Sequence, residues 1–257
     1  MPTPDIKALE WDGLGERIYE TGDKNVALYV YNDTATTPSG ASGYTTHYPL
    51  GVAWNGITAI TETPSGAEAT DLWADDTKYA TLRSAEQFGG TIEAYTYPDE
   101  WEVCDGSATV AGVKLGQQKR KAFGLAFITT VGNDTDLNDY GEKLHLIYGA
   151  TVSPAERSYA TINDSPEAIT FSWEFTTTPI KIGKFDSVEY KDVSCLTIEY
   201  NAKKALDLDF KEKYLTFKQM IFGRTTTYEQ DGTTVQIAGI TPHLPEPKDV
   251  LAFFAAE

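Results

Sequence analysis

Residues 169–182 read ITFSWEFTTTPIKI. Ile169, Phe171, Trp173 and Phe175 alternate with Thr170, Ser172, Glu174 and Thr176, and after Pro179 the phase shifts to Ile180 and Ile182. Successive side chains of a strand point to opposite faces, so the odd positions are expected in a core and the even ones outside it. Burying each large side chain contributes about 1.5–3 kcal/mol, and a one-residue slip would put Ser172 and Glu174 inside, so the register is set firmly. Proline cannot donate to a ladder, and the phase shift beside Pro179 predicts a bulge, an edge or the strand's end.

The same grammar recurs along the chain. Strand-like runs are expected at 26–31, 51–62, 77–83, 91–97, 121–131, 142–148, 180–190 and 193–200, separated by Gly, Pro, Asp and Asn clusters. Such spacing favours a sandwich or barrel, here a β-sandwich of two packed sheets with a helix on its flank. Leu206, Phe210, Tyr214, Phe217 and Ile221 recur at helical spacing and predict a helix over about 209–222 that packs this stripe on the sheet. Asp209 with Glu212 has the pattern of a capping box, and Gly223 suits the residue after the helix. A shorter helix is expected from Pro247, and a hairpin around Asp231-Gly232. The polar segment 32–49 reads as an inserted surface loop on a single domain spanning 1–257, with 202–257 (helix, hairpin and C-terminal arm) part of that domain.

At 257 residues with 41% apolar content, the chain has the means to bury a large core. No run approaches the ~18 apolar residues of a membrane helix, and MPTPDIKALEWDG lacks the basic and apolar parts of a signal peptide. A membrane partner is therefore not expected, and cytosolic synthesis is. Cys104 and Cys195 are expected as reduced, partly buried thiols. With 21 Lys and Arg against 38 Asp and Glu, the net charge is −17, which repels nucleic acid.

Chemistry-bearing motifs are sparse. His47, His145 and His243 have no metal-ligand spacing, and His145 reads as a solvated strand histidine. GLGER at 13–17 reads as a turn. GNDTDLNDYGE at 132–142 begins with calcium-loop spacing, but Asp139 occupies the glycine position and His145 that of the bidentate glutamate, so a solvated acidic turn is expected. The acidic pairs in DEWE (99–102) and ADD (74–76) read as loops. No enzyme activity, metal or cofactor is expected.

LEWDGLGERIYETG (9–22), GVAWNGITAITETPSGAEATDLWADDTKYATL (51–82), TIEAYTYPDEWEVCDG (91–106) and GNDTDLNDYGEKLHLIYGATVSPAERSYATINDSPEAITFSWEFTTTP (132–179) resemble the major tail protein, or tail-tube protein, of long-tailed siphophages and of prophages in Gram-positive bacteria. The resemblance implies a virion protein assembled in the host cytoplasm into hexameric rings stacked as a hollow tube. DNA passes through that tube without specific binding. A tape-measure protein fills it during assembly, and tail terminator and baseplate proteins close its ends. It also implies that strands of each subunit join a shared inner β-barrel, with Glu93, Thr170, Ser172, Glu174 and Thr176 as lumen-facing candidates and Ile169, Phe171, Trp173 and Phe175 as core anchors. Two other readings stand beside these. The polar face of 169–176 could meet bulk water on an outer sheet, and the chain could be a monomeric sandwich that binds carbohydrate or a cell-surface ligand through Trp54, Trp73 and Trp101.

Overall fold

The computed structural model describes residues 11, 13–39, 44–159, 161, 168–201, 208–228 and 235–255. One antiparallel sheet organises them. Its strands run in the order Gly51–Ala53, Tyr19–Val30, Phe123–Asn133, Leu137–Val152, Phe171–Thr177, Gly89–Ala94 and Ile57–Glu62. The 137–152 strand forks: residues 141–147 pair with Cys195–Asn201, while 150–152 pair with 175–177. Gly149 lies at the fork with φ +61, and a Cβ there would stand 2.3 Å from the Thr178 carbonyl oxygen. Only glycine fits that approach.

Beyond the fork the sheet folds back on itself, making the sandwich. Leu28, Phe123, Leu125, Ile147, Ile92, Trp173 and Phe175 share one core. At its centre Trp54 and Trp101 lie 4.4 Å apart by ring centroids, and each packs edge-on against Trp173, at 5.7 and 5.4 Å. The other side of the 19–30, 123–133 and 137–152 strands carries Ala27, Tyr29, Ala126, Ile128, Leu144, Leu146 and Tyr148, a second core that the helices cover. Small residues permit this double burial: Gly124 lies so close under Leu244 that an added Cβ would come within 2.6 Å of its Cδ2.

The long helix spans Leu208–Phe222. Tyr214, Phe217 and Ile221 are fully buried and Phe210 is half-buried, 5.5 Å by centroids from Phe254 of the C-terminal helix, Pro247–Ala255. Leu206 lies outside the described residues. Asp209 sits inside the first turn, not before it, and its carboxylate holds Lys213 at 2.6 Å. Gly223 ends the helix at φ +82, as expected, and the Tyr29 hydroxyl donates to the Ile221 carbonyl at 2.6 Å, satisfying a helix end from the sheet. The half-buried Glu142 accepts from Lys218 and Tyr214, fastening the helix at mid-length.

Several expectations need correction. The 51–62 run is two strands interrupted by Trp54–Gly56, because Trp54 turns into the core and donates its indole N–H to the Thr96 carbonyl. The 180–190 run holds only a small ladder, Gly183–Phe185 with Val188–Tyr190. Segment 32–49 divides: residues 32–34, 36 and 37 face outward, while Thr46 and Tyr48 are fully buried and Tyr48 bridges to Leu244. The hairpin forms between Thr227–Tyr228 and Val235–Ile237, and its expected tip lies outside the described residues. The two thiols are free, Cys104 buried with its pKa pushed up to about 12 by burial, and Cys195 exposed rather than partly buried.

Candidate assembly surfaces

The opening stretch forms the Phe171–Thr177 strand, with Trp173 and Phe175 buried, Phe171 half-buried, and Ser172, Glu174 and Thr176 exposed. Ile169 departs from the expectation. It precedes the strand and is 43% exposed, so it is no core anchor. Thr170 also precedes the strand and is exposed. Alternation gives the faces of a strand but not its first residue.

Directly paired residues share a face. Ser172 pairs with Glu93, Glu174 with Thr91 and Thr176 with Thr151, while Ala59 and Thr61 oppose Glu93 and Thr91 from the edge strand. Four hydroxyl-bearing side chains (Thr61, Thr151, Ser172, Thr176) and Glu174 are exposed on this face, and Thr91 and Glu93 are half-buried. The pairing brings Glu93 beside Ser172 and Glu174, as the sequence-based expectation grouped them, and adds Thr61, Thr91 and Thr151.

Behind this strand, buried Asp105 accepts from the Trp173 indole N–H at 3.1 Å and from Arg157. Arg157 in turn lies over the Phe171 ring, 5.5 Å from its centroid. Asp105 comes from a helical turn at Glu102–Asp105 that Gly106 ends in the left-handed conformation, φ +77. It therefore locks the 171–177 strand to the loop before it.

The second surface is an arm. The 57–62 and 89–94 strands extend as a hairpin through Ser65–Gly66 with Glu86–Gln87, then Ala69–Ala74 with Thr77–Arg83. Asp75 and Asp76 make the turn at φ 49 and 58, the mirror-type geometry that matches strand twist. Every residue from 61 to 87 except Ala80 is exposed. Residues 63 to 75 at about 3.3 Å each give an arm of roughly 40 Å. Leu72 and Leu82 lie on one face, Trp73 is 69% exposed, and Tyr79 falls at the bulge and is 77% exposed. The 69–74 strand was not expected from sequence. Of the three candidate sugar-stacking tryptophans, Trp54 and Trp101 are buried at 3% and 0% exposure, leaving Trp73 alone.

A third cluster gathers where the first strand begins. Glu20 accepts from Lys143 at 2.7 Å and from Thr129 at 2.5 Å, and stands 3.4 Å from His145 Nε2. Burial raises the Glu20 pKa, but these bonds outweigh it and hold the carboxyl below its usual range. His145 is not solvated as expected: its ring stacks on Phe127 at 4.7 Å, and burial lowers its pKa against the pull of Glu20. The acidic turn has a local role. Asn133 accepts from the Thr135 and Asp136 amides, and Gly15 of the GLGER turn donates its amide to Asp134 at 3.0 Å, docking the two turns together.

The most basic stretch escaped the sequence reading. From Gly106 to Asn133 there is no Asp or Glu, and Lys114, Lys119, Arg120 and Lys121 fall within it. In a chain of net charge −17 that local inversion was the available signal, and a whole-chain balance averages it away.

No protein-family model and no curated protein matches the chain. Among solved structures, a chain of the six-fold symmetrised cryo-EM structure of the anti-feeding prophage baseplate is similar at a TM-score of 0.29 and 7% identity, covering 74% of this chain and 97% of that one. A likeness at that level fixes neither fold nor function.

Proposed function

We propose that this chain is a structural subunit of a phage-type tail, which self-associates into stacked rings forming a hollow tube for DNA passage. One observation carries the reading: an arm of roughly 40 Å that holds Leu72, Trp73, Tyr79 and Leu82 in solvent. An exposed apolar hairpin of this length is an aggregation liability for a monomer and a connector in an assembly. The sheet's remaining edges support the same reading, because strand addition between copies removes them. On this reading the face bearing Glu93, Ser172, Glu174 and Thr176 lines the lumen as part of a shared barrel, where hydroxyls and carboxylates let phosphate pass without retention. The role is structural rather than catalytic, and a tape-measure, a terminator and a baseplate protein are its partners in the tail.

Sedimentation velocity across a wide concentration range, with negative-stain electron microscopy of the fastest fraction, tests this directly. Rings or tubes are expected. A compact monomer at every concentration, with or without tail-initiation proteins, would overturn it.

A further inference from the structure

The loop that carries Asp105 borders a cavity of about 540 Å³, lined by Ser107, Lys114, Gln118, Arg120 and Arg157 among others. Three of these are cations, and their charges are not equally answered. Arg157 is paired with Asp105. Lys114 lies 3.0 Å from Glu102 and donates to the Tyr97 hydroxyl at 2.7 Å. Arg120 has no ion-pair partner among the described residues, and its Nε is buried without an acceptor. Its side chain is folded over Gly106, where an added Cβ would lie 3.1 Å from the guanidinium carbon. Glycine at that position thus makes room for the guanidinium, and exposed Lys119 and Lys121 flank it. The cavity presents uncompensated positive charge on a strongly acidic molecule.

The arm presents the opposite. Asp71 is answered by Lys78 at 2.7 Å and by Thr81 at 2.8 Å. Asp75 and Asp76, at the tip, have no partner among the described residues. Two adjacent carboxylates are therefore held at the end of a long lever, flanked by the exposed rings of Trp73 and Tyr79.

We propose that the Arg120 cavity is a carboxylate-binding socket whose occupant is the Asp75-Asp76 arm tip of a second copy of this chain. The inference rests on the assembly reading and names the contact that carries it. Tip and socket are different surfaces, so the contact is heterologous, and a joined pair keeps one free socket on the first copy and one free tip on the second, which is what growth into rings or stacked rings requires. A guanidinium holds a carboxylate with two parallel N–H donors, and no carboxylate among the described residues occupies that of Arg120.

The test separates this contact from assembly in general. Asp75→Asn/Asp76→Asn removes the charge while keeping a residue type that tolerates positive φ. Arg120→Gln removes the socket charge, and Lys119→Gln, at an exposed neighbour in sequence that does not line the cavity, lowers the local charge without touching Gly106 and should weaken assembly less than Arg120→Gln. Circular dichroism and thermal midpoints confirm folding. Each of the tip and Arg120 variants should raise the concentration for half-assembly by about tenfold, the scale of an interfacial charge pair. Combining them should add little to either alone, because both remove the same contact. Mixed populations carrying Thr77→Cys or Gln118→Cys, each with Cys195→Ser, should form a disulfide-linked dimer only when both are present. Additive or absent effects together with no cross-link, in a wild-type chain that assembles, would overturn the socket and leave the assembly reading standing. A wild-type chain that never assembles would overturn both. Wild-type assembly that is abolished by millimolar inorganic phosphate, together with a tip variant that assembles as the wild type does, would assign the socket to a free anion and overturn the arm as its occupant.

Discussion

The Phe123–Asn133 strand and the arm at 61–87 are built from the same alternating backbone, and they differ only in what stands on either side. The first is buried through most of its length, with Phe123, Leu125 and Phe127 in the sandwich and Ala126 and Ile128 under the helices. The second is exposed on both faces although it carries a tryptophan, a tyrosine and two leucines. A strand's large side chains therefore do not declare whether their partner belongs to the same chain. The interior strand has found its neighbours within the fold, and the arm, on the proposed reading, finds them in another copy.

Two tryptophans turn that contrast into an experiment. Trp173 is fully buried against Trp54 and Trp101 and donates to Asp105. Trp173→Ala should cost about 3–5 kcal/mol in urea unfolding, from lost burial and a residual cavity. Trp73→Ala should leave the unfolding free energy within about 0.5 kcal/mol, because an exposed side chain loses little on truncation, yet should weaken self-association. If Trp73→Ala destabilised the monomer as much as Trp173→Ala, the arm would be packed on its own chain in solution and the comparison would fail.

A smaller effect is expected where helix and sheet are fastened. Burial alone would raise the Glu142 pKa, but hydrogen bonds from Lys218 and Tyr214 and the nearby Lys24 charge hold it below the usual carboxylate range. A depressed folded pKa contributes stability above the unfolded value, and that contribution is lost as pH falls through the folded value. Glu142→Gln should therefore cost about 1 kcal/mol at neutral pH, with the gap from wild type closing below about pH 4.5. A gap that stayed constant into acid would mean that shape, not charge, fastens the helix.

How much of this was legible in the sequence varies with what each feature depends on. Phe171–Thr177 was legible because its large residues repeat with period two, and the helix because its stripe repeats at spacings of three and four. Ile169 was misplaced since alternation runs past the point where pairing begins. The 69–74 strand went unread because Asp75-Asp76 is not the Asn-Gly or Asp-Gly signal of a tight hairpin, although the backbone takes the same mirror turn. His145 was misjudged because stacking on Phe127 is set by a strand partner nearly 20 residues away, which spacing along one strand cannot report. The socket needed the fold outright: Lys114, Arg120 and Arg157 converge only when Gly106 turns the chain and Asp105 draws Arg157 in.

The smallest effect on stability is expected at Glu174, whose consequences belong to the assembly. The residue is exposed on the open face beside Thr91, one pair along from Glu93 and Ser172. If that face lines a tube, each glutamate is repeated around every ring, and phosphates within a Debye length of about 8 Å feel the summed field. Glu174→Lys should leave unfolding unchanged within about 0.5 kcal/mol, as a solvated substitution does. Assembled Glu174→Lys tubes should hold DNA at low salt and release it as salt rises, because each new phosphate contact releases counterions that salt makes costlier to release. Glu174→Gln removes repulsion without adding attraction and should retain far less. DNA retention that is equal for Lys and Gln, or that persists at high salt, would place Glu174 away from the passage. The lining would then belong to a different polar face, and the interior strand and the arm would keep their contrast.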